Sequence, residues 1–282
     1  MQKTDDVIRV AFLGPPGTFS HAAVDRAFSE DGRTLDYHSV ASIDDVFLDV
    51  EAGQSDFGVV PVENSTEGAV NTTLDCLIDT SLSIVGEVFI PIEHNLLLQP
   101  GADMVDVRRI VSHKQSLGQC RLWLRSHYPD IELLDVSSNA EAARLAAEDP
   151  STAAIAGLKA AELYGLNVVV AGIQDRRNNT TRFLTLARVR NTQPSGADKT
   201  SIIVYAENKP GSLFRLLEPF DRFQVSLTRL ETRPARDDMW SYVFFIDFEG
   251  HSDDAAVKQV FSQLTERVVK IKNLGSYTRA SS

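Results

Sequence analysis

The sequence is poor in the residues that bind metals or form covalent cross-links. Its 282 residues include two cysteines, Cys76 and Cys120, which are too far apart for a CxxC pair. The six histidines show no metal-ligand spacing such as HxxxH. We therefore expect no metal site, and a chain of this length buries enough apolar surface to fold without disulfides. So little cysteine favours a reducing compartment.

The sequence also lacks long apolar runs and an excess of positive charge. No uninterrupted apolar stretch reaches the ~18 residues of a membrane helix. Asp5, Asp6 and Arg9 interrupt the N-terminal run, which is therefore unlike a signal peptide. The 28 Lys and Arg against 39 Asp and Glu give a net charge of -11, which argues against nucleic acids and anionic membranes as partners. We expect a cytoplasmic protein.

Charge and composition divide the chain into two domains. From Lys199 onward, 12 basic residues nearly balance 11 acidic ones, whereas 16 basic residues stand against 28 acidic ones before it. The segment NTQPSGADK at this point has the composition of a linker. We predict one domain over residues 1–192 and a second over residues 199–282.

In the first domain, strand patterns alternate with helix patterns. Apolar segments such as VIRVAFL and FGVVPV predict buried strands. Two capping boxes, Ser42 with Asp45 and Ser138 with Glu141, mark helix starts, and a further helix is predicted over residues 117–127. Such alternation predicts an α/β fold with a mainly parallel sheet.

The second domain shows the order βαββαβ, which is the ferredoxin-like plan. Leu213, Leu216, Leu217 and Phe220 form one apolar helix face, and Pro219 inside this face is expected to end or kink the helix. An isolated module of this kind leaves one sheet face uncovered and two edges exposed. We therefore expect it to pair with a second copy.

Four polar segments lie beside strands of the first domain. GPPGTFS, VENSTEG and SHKQSLGQ each follow a strand, where α/β proteins bind ligands, and NNTTRF precedes one. For each segment the residues alone leave two interpretations open. GPPGTFS is either a cradle in which free N–H groups bind an anion or an ordinary capped turn. VENSTEG either binds a ligand through its polar side chains or is a capped helix start. SHKQSLGQ either binds a ligand or carries a surface histidine, His113. NNTTRF either binds a ligand or is a solvated loop.

Positive charge is missing from much of the first domain. No Lys or Arg occurs between Thr34 and Val107, so an anionic ligand bound there must rely on backbone N–H groups and amides. Arg182 precedes the apolar Phe183 and Leu184, where a charge needs a partner. Because its planar fork suits a carboxylate, we expect Arg182 to supply the side-chain cation.

Together, these motifs resemble the prephenate dehydratase family over nearly the whole chain. The second domain resembles an ACT regulatory domain with small-residue changes in its two motifs. The matching segments are Gly-Pro-x-Gly-Thr-Phe-Ser at 14–20, Pro-Val-Glu-Asn-Ser-x-x-Gly at 61–68, Ser-His-x-Gln at 112–115 with Gln119–Cys120, Asp175 and Asn179 with Thr-Arg-Phe at 181–183, Pro-Gly-Ser-Leu at 210–213 and Glu-Thr-Arg-Pro at 231–234.

The resemblance implies two catalytic lobes like those of periplasmic binding proteins, with the active site between them. Lobe one would comprise about residues 7–84 and 171–190, and lobe two about residues 85–170. It also implies a monofunctional enzyme, without the chorismate mutase domain of some members. Such an enzyme converts prephenate to phenylpyruvate, water and CO2 in phenylalanine biosynthesis, and it needs no cofactor.

The resemblance further implies roles for individual residues. Thr181 would donate a hydrogen bond to the departing hydroxyl, while Arg182 and Asn179 would orient the substrate or the loop. His113 and Glu63 are less favoured proton sources. The residues expected to bind substrate are Gly17, Thr18, Ser20, Glu63, Asn64, Ser65, Ser112, Gln119 and Phe183. Those expected to bind regulatory L-phenylalanine between subunits are Asn208, Gly211, Ser212, Leu213, Glu231, Thr232, Arg233 and Pro234.

The expected assembly is a homodimer or a homotetramer, and a chain ending near Thr192 is expected to stay active but insensitive to phenylalanine. Two other activities remain open. One is the same reaction on arogenate, which yields phenylalanine directly. The other is a binding or sensor protein that keeps the lobes and the ACT module without catalysis.

Overall fold

The computed structural model describes residues 7–190, 193–234 and 242–280, which form three sheets with helices packed on them. Up to residue 91 the elements are β1 (Val7–Leu13), α1 (Phe19–Ala27), β2 (Thr34–Val40), α2 (Ile43–Glu51), β3 (Phe57–Asn64), β4 (Gly68–Ala69), α3 (Asn71–Asp79) and β5 (Ser83–Pro91). They are followed by β6 (Asn95–Leu98), a 3-10 turn (Met104–Asp106), β7 (Arg109–His113), α4 (Lys114–Gln119), α5 (Arg121–His127), β8 (Glu132–Val136), α6 (Asn139–Glu148), β9 (Thr152–Ala156), α7 (Leu158–Tyr164), β10 (Asn167–Val170) and β11 (Thr180–Ala187). The C-terminal elements are β12 (Asp198–Ala206), α8 (Ser212–Arg222), β13 (Leu227–Pro234), β14 (Tyr242–Glu249), α9 (Ala255–Thr265) and β15 (Lys270–Thr278).

The first two sheets define two lobes, and both sheets are mixed. Lobe one has the strand order β2-β1-β3-β11-β5, in which β11 runs antiparallel to both of its neighbours. Lobe two has the order β10-β6-β9-β7-β8, in which β6 is antiparallel to β9 and β10. The expected mainly parallel sheet is therefore wrong in detail, because the strands that carry the chain between the lobes enter each sheet in the opposite direction.

The chain crosses between the lobes later than the sequence indicates. Strand β5 pairs with β11 from Ser83 to Pro91 and so belongs to lobe one, whereas the crossing was expected near residue 84. An apolar strand pattern shows that a segment is buried, but it does not show which of two sheets receives it. The return lies between β10 and β11, close to the expected residue 171.

Local helix signals are mostly confirmed. Ser42 and Ser138 accept hydrogen bonds from the backbone N–H groups of Asp45 and Glu141, as their capping boxes predict. The helix predicted over residues 117–127 is instead two short helices, α4 and α5, which meet at Cys120. Each of the described helices is too short or too polar to cross a membrane.

The C-terminal sheet has the order β13-β14-β12-β15 and confirms the ferredoxin-like plan. Helix α8 continues through Pro219 to Arg222, so the proline does not end it. Proline lacks the N–H group that would bond to the carbonyl four residues earlier. That carbonyl belongs to Arg215, and it accepts a hydrogen bond at 3.4 Å from Arg267, on the neighbouring segment.

One face of the C-terminal sheet packs on α8 and α9, and the other packs on lobe one. Ile203, Phe245 and Tyr277 share a core with Val60 and Ile84 of lobe one. Gly275 allows the two backbones to come close together, because a Cβ at this position would clash with the Ile84 carbonyl oxygen. The sheet face that was expected to need a second subunit is thus covered by the same chain.

Candidate active site

A cavity of about 640 Å³ lies between the two lobes. Loops after β1 and β3 line it from lobe one, and the starts of helices in lobe two close the opposite side. Its polar lining residues are Thr18, Ser20, Asn64, Glu67, His94, His113, Gln115, Ser116, Gln119, Ser137, Ser138, Asn139, Asn179 and Thr181. Its apolar lining residues include Leu13, Phe19, Pro61, Val70, Ile92 and Phe183.

Helix N-termini from both lobes converge on this cavity. Thr18 caps α1 and Ser138 caps α6, and both residues line the cavity wall. The first N–H groups of a helix lack partners within the helix and carry partial positive charge. Gly17 precedes the first cap with φ +92°, a left-handed conformation that favours glycine. The cavity therefore attracts anions through backbone dipoles.

No Lys or Arg occurs among the described residues that line the cavity. Glu67 adds a carboxylate at its exposed rim, where it accepts a hydrogen bond from Gln119 Nε2 at 3.1 Å. Any carboxylate of a ligand must be bound by N–H groups, amides and hydroxyls. The part of the chain that the structure describes also contains no group of three His, Cys, Asp or Glu side chains placed to hold a metal ion.

Alternation along two paired strands separates the cavity residues from their neighbours. In the β3–β11 pair, Thr181 lies opposite Asn64 and Arg182 lies opposite Glu63. Because successive side chains point to opposite sheet faces, Asn64 and Thr181 reach the cavity. Arg182 and Glu63 point to the C-terminal domain instead, where they bind Asp247 and Arg229.

The Thr181 hydroxyl is held in one orientation by Asn64. The Asn64 Oδ1 atom accepts hydrogen bonds from the backbone N–H groups of Thr66 at 2.9 Å and Glu67 at 3.0 Å. This turns Nδ2 towards Thr181, where it donates to Oγ1 at 2.9 Å. Because Oγ1 already accepts this bond, its own proton is available to donate to a ligand.

A second polar chain links His94, Gln119 and Asn179. Gln119 Oε1 lies 2.7 Å from His94 Nε2 and accepts from Asn179 Nδ2 at 3.4 Å. Burial lowers the pKa of His94 and outweighs the opposing effect of its hydrogen bond with Gln119. His94 is therefore a neutral ring in the cavity wall. No local motif in the sequence singles it out, because the polar chain forms only when the two lobes meet.

Three of the predicted substrate-binding residues, Glu63, Ser65 and Ser112, are absent from the cavity lining, and the two serines support it from behind. Ser65 donates to the Asn178 carbonyl at 3.1 Å and accepts from Thr180 N–H at 2.9 Å, which joins the ends of β3 and β11. Ser112 is fully buried and donates to Ile155 O at 2.6 Å. It also contacts Asn139 Oδ1 at 3.1 Å, and Asn139 itself lines the cavity.

Arg182 and Glu63 do not lie where the sequence interpretation placed them. The Arg182 guanidinium is buried on the far side of β11 and binds Glu87, Asp247 and Tyr277. Glu63 lies 3.2 Å from Arg229 on β13. The expectation that Arg182 supplies the cation for a bound carboxylate is therefore corrected. Arg182 is indeed a buried charge with partners, but those partners belong to the protein.

The structure brings most of the remaining predicted residues together and adds others. Gly17, Thr18, Ser20, Asn64, Gln119, Asn179, Thr181 and Phe183 all line the cavity. The cavity residues not predicted as ligands are mainly Glu67, His94, Ser116, Ser138 and Asn139. Ser138 had a sequence signal, since its capping box marks a helix start, and helix starts after strands are where this fold binds ligands.

The predicted regulatory residues lie at one edge of the C-terminal sheet. Strands β12 and β13 both run antiparallel to β14, so their carboxyl ends lie at the same edge, with Ala206 and Pro234 on either side of Tyr242. Gly211, at φ +80°, begins α8 beside this edge. Arg233 also binds Asp75 of lobe one at 2.7 Å.

The fold and site define a two-lobed α/β protein with a cleft lined by helix starts between the lobes and a ferredoxin-like domain that packs on lobe one. Residues 10–191 match the family model of prephenate dehydratase, and residues 200–266 match that of the ACT domain. The chain belongs to the prephenate dehydratase family and carries a C-terminal ACT domain. The resemblance read from the motifs is confirmed.

Similar proteins cover nearly the whole chain. A bifunctional chorismate mutase/prephenate dehydratase of Stutzerimonas stutzeri is 50% identical over 273 residues, which are 97% of this chain and 74% of that protein. A prephenate dehydratase of Mycobacterium tuberculosis is 35% identical over 279 residues, 96% of this chain and 87% of that protein.

Two solved structures share the complete architecture. A prephenate dehydratase from Arthrobacter aurescens in complex with L-Phe has a TM-score of 0.86 at 35% identity, and covers 97% of this chain and 90% of its own. GqqA, described as a novel type of quorum quenching acylase, also has a TM-score of 0.86, at 28% identity, and covers 96% of this chain and 98% of its own.

Proposed function

We propose that this protein is a prephenate dehydratase, and that its cleft binds prephenate between the two lobes. The observation that carries the proposal is the cleft itself, where an oriented Thr181 hydroxyl lies in a cavity lined by the helix starts at Thr18 and Ser138. The membership of the chain in the prephenate dehydratase family supports the same substrate.

In this reaction the ring carboxylate leaves as CO2 and the ring hydroxyl leaves as water. The electron pair of the broken C–C bond enters the ring and makes it aromatic, while the C–O electron pair leaves with the oxygen, which takes up a proton. Thr181 donates a hydrogen bond to this oxygen as its charge develops, and Asn64 holds the donor in place. A threonine hydroxyl is a weak acid, so its contribution is hydrogen bonding that strengthens in the transition state.

The absence of lysine and arginine from the described cavity lining suits this chemistry. The carboxylate that becomes CO2 loses its negative charge during the reaction. A fixed cation beside it would stabilise the substrate more than the transition state and would slow the reaction. Backbone N–H groups at the starts of α1 and α6 hold carboxylates less strongly, and the apolar Phe19 and Phe183 contact the ring.

The direct test is ultraviolet detection of phenylpyruvate formed from prephenate by the purified protein. Wild-type turnover above the rate of a protein-free control supports the proposal. Arogenate in parallel reactions decides the preferred substrate. Ligand binding without turnover would identify a sensor protein, and turnover of an acylated substrate alone would favour the activity described for GqqA.

The ACT domain is the proposed binding site for regulatory L-phenylalanine. Asn208, Gly211, Ser212 and Leu213 would contact the ligand at the start of α8, together with residues 231–234 of β13. The two segments end at the same sheet edge, and the N–H groups at the α8 start suit an amino acid carboxylate. The relative from Arthrobacter aurescens, solved with L-Phe, supports the choice of ligand.

Calorimetry of the whole chain with L-phenylalanine tests this site, with D-phenylalanine as the control ligand. Binding of the L-form alone, together with inhibition of turnover, is the expected result. No detectable binding at millimolar L-phenylalanine would contradict the regulatory role and leave the catalytic proposal intact.

A homodimer or homotetramer remains our proposed assembly, but only the exposed sheet edge is left of its expected basis, because lobe one covers the sheet face. The support is the exposed edge strand β13 and the exposed apolar side chains of Leu213, Phe214 and Leu230 near the proposed regulatory site. Light scattering after size exclusion, with and without L-phenylalanine, measures the assembly. A biosynthetic role also fits the cytoplasm, which we retain as the proposed location.

A further inference from the structure

A buried cluster of charges joins the catalytic lobe to the ACT domain directly behind the cleft. Its centre is Arg182, whose side chain is 6% exposed. Three nitrogens of its guanidinium donate to three different residues, Glu87 Oε2 at 2.7 Å, Asp247 Oδ2 at 2.5 Å and Tyr277 OH at 2.9 Å. Glu87 lies on β5 of lobe one, whereas Asp247 and Tyr277 lie on β14 and β15 of the ACT domain.

The cluster is balanced in charge and closed to solvent. Lys199 of the ACT domain donates to both carboxylate oxygens of Glu87, at 2.7 and 2.9 Å. Two cations thus face two carboxylates, and the Tyr277 hydroxyl also lies 2.8 Å from that of Ser201. Burial alone would raise the pKa of Asp247, but the Arg182 charge and a hydrogen bond from Ser201 lower it. Asp247 therefore remains an ionised partner of Arg182.

This cluster is one peptide unit away from the proposed hydrogen-bond donor. Thr181 and Arg182 are consecutive in β11 and point to opposite faces of the sheet. The same alternation occurs on β3, where Asn64 binds Thr181 and the adjacent Glu63 binds Arg229 of the ACT domain. Side chains of the ACT domain thus bind the rear face of both β3, which carries Asn64, and β11, which carries Thr181.

We propose that Arg182 is a positioning residue, through which the ACT domain fixes the strand that carries Thr181 and thereby the position of its hydroxyl in the cleft. The catalytic part of this inference rests on the proposed function. A shift of this hydroxyl weakens an interaction that matters mainly in the transition state, so it changes kcat more than KM.

Two single variants test the proposal from opposite sides of the interface. Arg182→Lys keeps the charge but reaches fewer partners, because an ammonium lacks the planar fork. Asp247→Asn changes only the ACT side, and Asp247 is not among the residues that line the cleft. We expect each to lower kcat at least tenfold while KM stays within about twofold of the wild-type value. A raised KM with unchanged kcat in Arg182→Lys would overturn the proposal and restore a substrate-binding role.

A double variant and a matched control separate positioning from general loosening of the interface. If both substitutions break the same Arg182–Asp247 link, the kcat of the double variant is no lower than that of the more damaging single variant. Losses of kcat that add in free energy would contradict the proposal. Lys272→Gln is the control. Lys272 also crosses the interface, but it donates to the carbonyls of Leu77, Ile78 and Thr80 near the end of α3. We expect it to retain wild-type kcat.

Hydrogen exchange of the intact protein provides a readout that needs no substrate. We expect Asp247→Asn to speed amide exchange in β11 relative to wild type and to Lys272→Gln, and unchanged exchange would contradict the proposal. Should Asp247→Asn fail to fold, Tyr277→Phe replaces it. This variant removes one hydrogen bond to Arg182 at nearly constant volume, and we expect it too to speed amide exchange in β11. An inactive wild-type protein would contradict the proposed function but leave this measurement decisive for the link.

Discussion

The cleft and the interface between the catalytic lobe and the ACT domain use charge in opposite ways. The described lining of the cleft includes no Lys or Arg, and helix starts at Thr18 and Ser138 line its wall. The interface contains several cations, each bound to a carboxylate or to carbonyl groups on the other side. These are Arg182, Lys199, Arg229, Arg233 and Lys272.

This difference follows from what each region has to do. Burying an ion pair costs free energy, but burying one of its charges without the partner costs much more. Such a pair therefore holds two surfaces in one arrangement. In the proposed reaction, the cleft instead binds a substrate whose ring carboxylate loses its charge, and dipoles stabilise that carboxylate in the bound substrate less than a fixed cation would. Arg182, which fixes structure, therefore lies one residue from Thr181 but on the opposite face of the same strand.

The largest expected effect comes from removing the interface altogether. A chain ending near Thr192 was expected to stay active, but it would expose the lobe-one core that packs on Ile203, Phe245 and Tyr277. It would also leave Arg182 and Glu87 without their ACT partners. We now expect this truncated chain to be mostly insoluble or unfolded, as measured by circular dichroism of the soluble fraction. A folded, active fragment would show that the interface adds little stability.

On the cleft side of the same strand, Thr181→Ala is expected to lower kcat by roughly 10²–10³ with little change in KM. The loss of one preorganised donor to a developing oxyanion costs roughly 3–4 kcal/mol. Steady-state kinetics measures it. Thr180→Ala is the control, since Thr180 is the neighbouring residue and is not among the cavity lining residues. A Thr181→Ala variant within tenfold of the wild-type kcat would show that the donor lies elsewhere.

Helix caps inside and outside the cleft provide a smaller, matched comparison. Ser138 caps α6 in the cleft and Ser42 caps α2 away from it, each by accepting a hydrogen bond from the residue three positions later. Replacing either by alanine should cost about 1 kcal/mol of unfolding free energy, measured by urea denaturation. Only Ser138→Ala should also raise KM for the substrate. Equal KM values in the two variants would mean that the α6 start does not bind the anion.

The smallest expected effect concerns the buried His94. Burial lowers the pKa of His94 in the folded protein. Below the pKa of about 6.5 that a histidine has in the unfolded chain, the unfolded chain therefore takes up a proton that the folded protein does not. Stability contributed by the neutral ring is therefore lost as pH falls from about 6.5. His94→Gln should therefore reduce the loss of unfolding free energy between pH 7.5 and 5.0. Identical pH dependence in urea titrations of the two proteins would contradict this.

Much of the architecture could be predicted because its signals are local. The order of strands and helices, both capping boxes and the ferredoxin-like plan depend on residues a few positions apart, and each is present in the structure. The sequence did not show that α8 continues through Pro219. The Arg215 carbonyl, which Pro219 leaves without an N–H donor, accepts a hydrogen bond from Arg267, 52 residues along the chain. The position of β5 was misread because pairing with β11 joins segments about 95 residues apart.

The candidate site divides in the same way. The sequence by itself determined that no cation lies between Thr34 and Val107, but it placed Thr181 and Arg182 side by side in a polar segment before a strand. In the structure β11 begins at Thr180, so the two side chains point to opposite faces. Only the tertiary structure decided which face meets the cleft. Packing of the ACT sheet on lobe one places Asp247 and Tyr277 behind β11, and a buried guanidinium must turn to the side where carboxylates are available. Those partners lie 65 and 95 residues along the chain, beyond the reach of any local pattern.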